Sequence, residues 1–520
     1  MPRSLKEQPA RKPPSAIGSL LIVWLFFRLV LARGFDLVPD EAYYWTWSRH
    51  IAMGYLDHPP MVAWLIRLGT LVAGSNELGV RSASAFLATG TIWVVAALTR
   101  RLASPQAGLL AAVILVASPL MAILGVIATP DTPLCFFSIC AVACAIRVFL
   151  PEAENPHSAW WIPCGTFWGL ALLSKYTAVL VGLAILLALL SHPVGRGELK
   201  KIWAWAGAIL GLMVFWPDIA WNAQHHWASF LFQLHHGSES EGPANPALNL
   251  LKYIGGQAGI WTPVLFAMGC LLLINMGRSW RRLTIVDSIL FFSAAVPLIF
   301  FAMTSLRREP QVNWPCFAYL PMTILIARLA WNSRPSAFYS WTKIGIIVAA
   351  CAMVMVQVPQ IMLLIPPKYA PRVPGRWRDL YRWRELAQKV DSVRDDAPIY
   401  ASSYETASEL SFYCSGQPEV WNLFNDRPTA ADFFPGEPDP WTQDEIVYVR
   451  NWPVASYEKT APPLPEKLLG TFDCELDNLY TFALNRPIRA REIIVGVRWS
   501  LVATQPAATH PTAAAARGRQ

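Results

Sequence analysis

Between residues 17 and 365 the sequence returns repeatedly to long apolar stretches, and that recurrence leaves few folds open. Eleven are distinguishable: 17–35, 79–98, 107–127, 133–150, 160–174, 177–192, 202–221, 258–277, 286–304, 314–331 and 344–365. They fall near the roughly 15 to 25 residues that a helix needs to cross a hydrocarbon core of about 30 Å. Backbone placed in lipid must satisfy its own hydrogen bonds, so the expected fold is a polytopic α-helical membrane protein. A chain with 54% apolar residues, 15% charged residues and 24 Trp belongs to the same class.

The net charge of +8 needs a separate explanation. Nucleic-acid binding predicts Lys and Arg gathered on a soluble face, whereas many of them here occupy short loops between apolar runs, so no nucleic-acid partner is expected. Eleven spans put Arg100-Arg101, Arg196 with Lys200-Lys201, Arg278 with Arg281-Arg282, and Arg334 with Lys343 on the side of the basic N-terminus, residues 1–16. Merging the fifth and sixth runs through Ser174-Lys175-Tyr176-Thr177 scatters these clusters over both faces, against the positive-inside rule. The basic segment before Ile17 lacks a small-residue cleavage site, so it does not read as a cleaved signal peptide. This topology sends the first loop (36–78), the Thr129–Pro133 turn, Lys175-Tyr176, Asn222–Gln257, Ser305–Asn313 and the C-terminal region to the outer face. Arg28 and Arg147 lie inside apolar runs near their ends, where snorkelling is the first explanation.

From about Lys368 the composition becomes that of a soluble domain, placed at 366–498 after a transmembrane domain at 17–365. Helical periodicity over Trp377–Val393 and strand-like segments at Pro398–Ser402, Ile446–Arg450 and Asn478–Asn485 predict a small α/β fold. Residues 499–520, rich in Ala, Thr and Pro, read as a disordered tail. Seven of the nine Cys lie in spans, and Cys414 and Cys474 lie in the soluble region, where a disulfide between them is open.

The first loop opens with Asp40-Glu41 and continues through Tyr43, Tyr44, Trp45 and Trp47 to Tyr55 and Asp57-His58-Pro59-Pro60. An acid pair at the mouth of a helix bundle serves no insertion purpose, which favours chemistry for Asp40 over a loop acid or helix cap. Glu41 is weaker, since adjacent residues rarely point into one site. The aromatics suit an interfacial belt, and Met61–Val72, too short to span, suits a helix lying along the interface.

Asp40-Glu41, a second acid at Asp131, His58-Pro59-Pro60 before an interfacial helix, and a C-terminal external domain together resemble the polyprenyl-phosphate-sugar glycosyltransferases of the GT-C fold. These family 39-like enzymes include the protein O-mannosyltransferases and the bacterial lipid A aminoarabinose transferase, and the resemblance covers about residues 17–365. It implies an inverting transferase in a bacterial inner membrane, with a polyprenyl-phosphate sugar donor and an acceptor outside the cytoplasm. Asp40 is then the general base, and Asp131 orients substrate hydroxyls or remains a turn acid. Phosphate already leaves well, so the paired acid and base of a glycosidase are unnecessary.

His58, Lys175, Arg307 and Arg308 are the candidates for donor phosphate. Lys175 also suits a helix C-cap, and the Arg pair also suits snorkelling. In the aminoarabinose transferase the turn reads Glu-Lys-Pro-Pro, with the acid in metal binding and the Lys at lipid phosphate; Asp57 and His58 stand there in this chain. A divalent metal held by Asp57 with His225 or His226 is therefore open, as is a scatter of loop histidines that includes His235-His236. The acceptor stays open between lipid A or another envelope lipid or glycan and protein. Two other accounts also stand: a lipid or sugar transporter or flippase, and a surface-glycan ligase or polymerase.

Overall fold

The computed structural model describes residues 15–150, 157–238, 245–309, 311–362, 383–423, 428–434, 436, 438–453, 464–483 and 486–498. The terminal segments 1–14 and 499–520 and the start of the expected Trp377–Val393 helix lie outside them. The chain divides into two compact units, Met1–Phe35 with Trp47–Leu364, and Asp36–Thr46 with Ile365–Gln520.

A helix lies over each of the eleven apolar runs. In chain order the first unit contains α1 (Ser15–Leu31), α2 (Pro39–Arg49, shared with the second unit), α3 (Met61–Ala73), α4 (Glu77–Leu102), α5 (Pro105–Ala117) and α6 (Pro119–Leu124). Then come α7 (Asp131–Arg147), α8 (Trp161–Ser174), α9 (Val179–Ser191), α10 (Pro193–Glu198), α11 (Ile202–Gln224) and α12 (Ala228–Ser238). The set closes with α13 (Pro246–Trp261), α14 (Pro263–Arg278), α15 (Ile285–Ser305), α16 (Tyr319–Asn332) and α17 (Ala337–Met362). Among the described residues α4, α11, α15 and the Ala337–Gln357 part of α17 are each long and apolar enough to cross a membrane. A fifth crossing results if α13 and α14, bent by 112°, form one broken span. Ser118 and Pro119 divide the third run into α5 and α6, because Ser118 caps the second helix through Met121 N–H while proline opens it.

Close helix packing follows from small residues. Gly165 and Gly169 of α8 face Gly207 and Gly211 of α11, and a Cβ at Gly165 or Gly169 overlaps the carbonyl oxygen opposite. Backbones approach this closely only where side chains are missing. Met61–Val72 forms a helix, extended by one residue in α3. One side of it is buried through Val62, Ala63 and Ile66, and Leu68, Leu71 and Val72 stay exposed.

Arg28 does not snorkel. It is buried, donates from Nη1 to the Ala122 carbonyl at 3.4 Å, and lies 4.8 Å from the Trp24 ring. Arg147 sits 4.1 Å over the Trp160 ring. A third cation in an apolar run, the fully buried Arg81 of α4, donates to the Ala32 and Phe35 carbonyls at 3.0 and 2.9 Å. It thereby satisfies carbonyls that the end of α1 leaves open and fixes the exit of the chain before Asp36.

The second unit is an α/β fold of α18 (Trp383–Asp391), β1 (Ile399–Ala401), α19 (Tyr404–Tyr413), β2 (Val420–Asn422), β3 (Glu445–Pro453), α20 (Glu466–Thr471), β4 (Phe472–Ala483) and β5 (Arg486–Arg498). The sheet order is β2-β1-β3-β5-β4, with β1 parallel to β2 and β3 and the last two strands antiparallel. Strand alternation gives two cores. Ile399, Ala401, Val447 and Val449 pack with α18, α19 and Cys414, whereas Tyr400, Ile446, Tyr448 and Ile494 pack with Leu468, Phe472 and Cys474. The sheet therefore separates Cys414 from Cys474, and both are free thiols, which closes the disulfide left open by the sequence. Burial pushes the Cys414 thiol up to about 12 and the Cys474 thiol up to about 11.

The boundary of the second unit differs from the expected one at one place. Asp36–Thr46, assigned from sequence to the first loop of the membrane domain, packs in the second unit. Tyr43 and Trp45 are buried there, with ring centroids 4.7 Å from Tyr404 and 4.9 Å from Phe412 respectively. These two aromatics are core residues rather than an interfacial belt. Trp47 is likewise buried, stacked on Tyr55 at 4.6 Å in the first unit.

Candidate active site

In the helical unit two polar networks start from neighbouring residues, Lys175 and Tyr176. Helix α8 ends at Ser174, and Lys175 takes extended backbone (φ −160°, ψ 138°) before a short turn leads into α9. The fifth and sixth runs are thus separate helices, and the break carries the Lys175 side chain to Asp131, the first residue of α7. Its Nζ donates to Asp131 Oδ1 at 2.7 Å, and the exposures of the two side chains are 10% and 3%. Asn313 Nδ2 donates to Asp131 Oδ2 at 2.5 Å. The Cys316 thiol lies 3.8 Å from Asp131 Oδ1 and 3.4 Å from Cys135 Sγ. A carboxylate this deep is costly unless paired, and here a cation, an amide and the N-terminus of α7 supply the compensation.

The adjacent Tyr176 leads to a second acid that the sequence did not single out. Asp218, in α11 directly after Pro217, is fully buried. Tyr176 Oη donates to Asp218 Oδ1 at 3.4 Å and shares a 2.8 Å hydrogen bond with Ser229 Oγ. Asn222 Nδ2 lies 3.3 Å from Asp218 Oδ2, and Asn222 Oδ1 accepts from the Phe230 N–H at 3.2 Å. Gly54 of the first loop backs onto this network, where a Cβ sits 2.9 Å from the Trp221 ring and 3.0 Å from Asp218 Oδ1. Its signal in the sequence is a lone acid inside an apolar run.

Asp57 is buried, and its backbone carbonyl accepts from Gln233 Nε2 at 2.5 Å; His58 is half-buried beside it. The His225 ring stacks on Trp221 at 4.2 Å, and its Nδ1 is 2.7 Å from the Trp221 carbonyl. His226 and Trp227 adopt left-handed backbone, φ 55° and 61°. Among the described residues no three His, Cys, Asp or Glu converge as a metal-holding group. The side chains of His235 and His236 lie outside the described residues.

Arg307 is exposed just past the end of α15. Arg308 is half-buried with its guanidinium 4.6 Å over Trp314, and Glu309 pairs with Lys252 at 3.0 Å. Asn313, the partner of Asp131, directly precedes Trp314.

In the second unit α2 opens at Pro39, so Asp40 and Glu41 occupy its first turn, where carboxylates meet the positive end of the helix. The two side chains diverge. Glu41 is fully buried and turns back to accept from the Val38 N–H at 3.0 Å, a reach-back cap. Asp40 is exposed.

A family model described as dolichyl-phosphate-mannose-protein mannosyltransferase matches residues 57–221. The lipid A galacturonosyltransferase RgtD of Rhizobium johnstonii is 24% identical over 417 residues, covering 76% of this chain and 83% of its own length. The undecaprenyl phosphate-alpha-4-amino-4-deoxy-L-arabinose arabinosyl transferase 1 of Pseudomonas fluorescens (strain Pf-5) is 25% identical over 335 residues, 60% of this chain and 59% of that one. The crystal structure of ArnT from Cupriavidus metallidurans bound to undecaprenyl phosphate superposes with a TM-score of 0.58 at 15% identity, covering 92% of this chain and 97% of that one. The chain is a glycosyltransferase of the GT-C fold. Within this glycosyltransferase the family match begins at Asp57 and ends at Trp221, so it takes in Asp57, His58, Asp131, Lys175, Tyr176 and Asp218 and leaves out Asp40.

Proposed function

We propose that this glycosyltransferase moves a monosaccharide from a polyprenyl-phosphate carrier to lipid A, outside the cytoplasm of a bacterial cell, with inversion at the anomeric carbon. Support for donor and acceptor comes from the relatives, a lipid A galacturonosyltransferase and an undecaprenyl phosphate aminoarabinose transferase. Support for the orientation comes from the basic loops, which gather on the N-terminal side and leave the acid-bearing loop on the other.

The observation that carries the assignment of roles is the contrast among the acids. Asp131 is neutralised by Lys175 and Asn313, Glu41 caps its own helix, and Asp57 and Asp218 are buried, whereas Asp40 is exposed at the first turn of α2. Asp40 takes the proton from the acceptor hydroxyl as its oxygen attacks the anomeric carbon, the bond from that carbon to the phosphate oxygen breaks, and polyprenyl phosphate departs. A positioned base contributes about 10²- to 10⁴-fold. With Lys175 engaged by Asp131, Arg307 and Arg308 are the cations for the departing phosphate, with His58 as a hydrogen-bond donor.

The test uses purified protein in lipid nanodiscs with undecaprenyl-phosphate-linked monosaccharides, galacturonic acid and aminoarabinose among them, and lipid A. Release of undecaprenyl phosphate with a mass gain on lipid A is the expected result, and Asp40→Asn abolishes both. Sustained turnover by that variant rejects Asp40 as the base.

A further inference from the structure

The segment bearing the acid pair is built into the C-terminal unit. Asp36 accepts from Arg384 Nε at 3.0 Å and from the Trp383 N–H at 3.2 Å. The Leu37 N–H donates to Tyr413 Oη at 2.7 Å, and the ring of Tyr413 lies under the Arg384 guanidinium at 4.9 Å. Beyond Asp40, Tyr43 Oη accepts from the buried Ala430 N–H at 2.7 Å, and Trp45 packs edge-on against Phe412. The anchors at 36 and 37 precede Asp40, and those at 43 and 45 follow it. All residues from Glu41 to Trp45 are buried, so helical geometry leaves Asp40 as the exposed position of that turn.

We infer that the C-terminal unit positions the base of the reaction: α18, α19 and Ala430 clamp residues 36–45 and thereby fix where the Asp40 carboxylate stands. The inference rests on the reading of Asp40 as base, and makes Tyr43 and Tyr413 positioning residues. Magnitudes rank the anchors. The Arg384 side chain is 56% exposed, so its ion pair with Asp36 contributes little. The Ala430 N–H is buried and loses its partner when the Tyr43 hydroxyl is removed, so that contact matters most. A reacting group displaced by about 1 Å loses up to about 100-fold in rate.

The test compares wild type with Tyr43→Phe, Tyr413→Phe and Asp40→Asn in the full-length protein. Hydrogen exchange and turnover with an undecaprenyl-phosphate monosaccharide and lipid A are measured on each. In the two Phe variants, exchange at Leu37–Thr46 accelerates while that of the β1 and β3 amides does not. Their kcat falls about tenfold and the donor KM stays within about twofold, because positioning is lost and donor binding is kept. Unchanged exchange and kcat in both Phe variants, with Asp40→Asn inactive, overturns the clamp alone. Acceleration spread over the whole C-terminal unit overturns it too, since the contacts are then general stabilisers. An active Asp40→Asn instead rejects the base, and the exchange pattern still decides whether the clamp exists.

Discussion

Two carboxylates, Asp131 in the helical unit and Asp40 in the α/β unit, both lie in the first turn of a helix, yet their surroundings differ. Asp131 has a cation at 2.7 Å and an amide at 2.5 Å, and its side chain is 3% exposed. Asp40 stands exposed on a turn whose other residues are buried. In the proposed reading the deep, ion-paired carboxylate belongs to the scaffold, and the one that reaches solvent is in a position to take a proton. Burial therefore discriminates between acids that their place at a helix start does not.

The largest expected effect lies at Asp40. Asp40→Asn lowers turnover by about 10²- to 10⁴-fold, and its neighbour Glu41→Gln, which keeps an oxygen for the Val38 N–H, leaves turnover within about tenfold of wild type. Initial rates of polyprenyl phosphate release separate the two, and equal losses would erase the distinction drawn within the pair. Next comes Lys175→Gln, which leaves Asp131 buried beside an amide in place of its cation. Removing one partner of a buried pair costs about 3 to 5 kcal/mol. Thermal unfolding in detergent measures this, and adding Asp131→Asn restores part of the loss. An unchanged melting temperature in Lys175→Gln shows that Asp131 is solvated, contrary to the contrast with Asp40.

Much of the helical unit was legible because length and apolarity report directly on a helix in lipid, and even the break at Lys175 followed from charge on the flanking loops. The site was legible only in part. Asp131 and Lys175 were singled out separately, and their pairing depends on how α7 and α8 pack, which no local pattern records. Asp218 was hidden because one acid hardly changes the hydropathy of an apolar run. The membership of Asp36–Thr46 was hidden for a different reason. Tyr43 and Trp45 have the composition of an interfacial belt and of a domain core alike, and only their contacts with Tyr404 and Phe412 distinguish the two. In the soluble unit β2 has three residues and α19 buries a mixed polar and apolar sequence, so neither carried a clear period.

A smaller effect tests the second network. In Asp218→Asn an amide N–H₂ replaces one of the two acceptor oxygens, so one of the donors, Tyr176 Oη at Oδ1 or Asn222 Nδ2 at Oδ2, loses its acceptor. Tyr176 retains Ser229, so about 1 to 3 kcal/mol of stability is lost rather than the cost of an orphaned charge. Chemical-denaturant titration of the variant reads this directly, and a loss as large as that of Lys175→Gln makes Asp218 the equal of Asp131.

The smallest effect is expected from reductant. Cys414 and Cys474 lie in cores on opposite faces of one sheet, and burial pushes both thiols up, to about 12 and about 11, so at neutral pH each is protonated and a poor nucleophile. Breaking a native disulfide typically costs about 2 to 5 kcal/mol, which shifts unfolding by several degrees. Here excess reductant leaves the melting temperature of the full-length protein unchanged, and mass spectrometry of the unreduced digest finds the Cys414 and Cys474 peptides unlinked. A linked peptide pair would require the sheet to be threaded differently, and would remove the layer on which α19, and with it the seat of Asp40, is built.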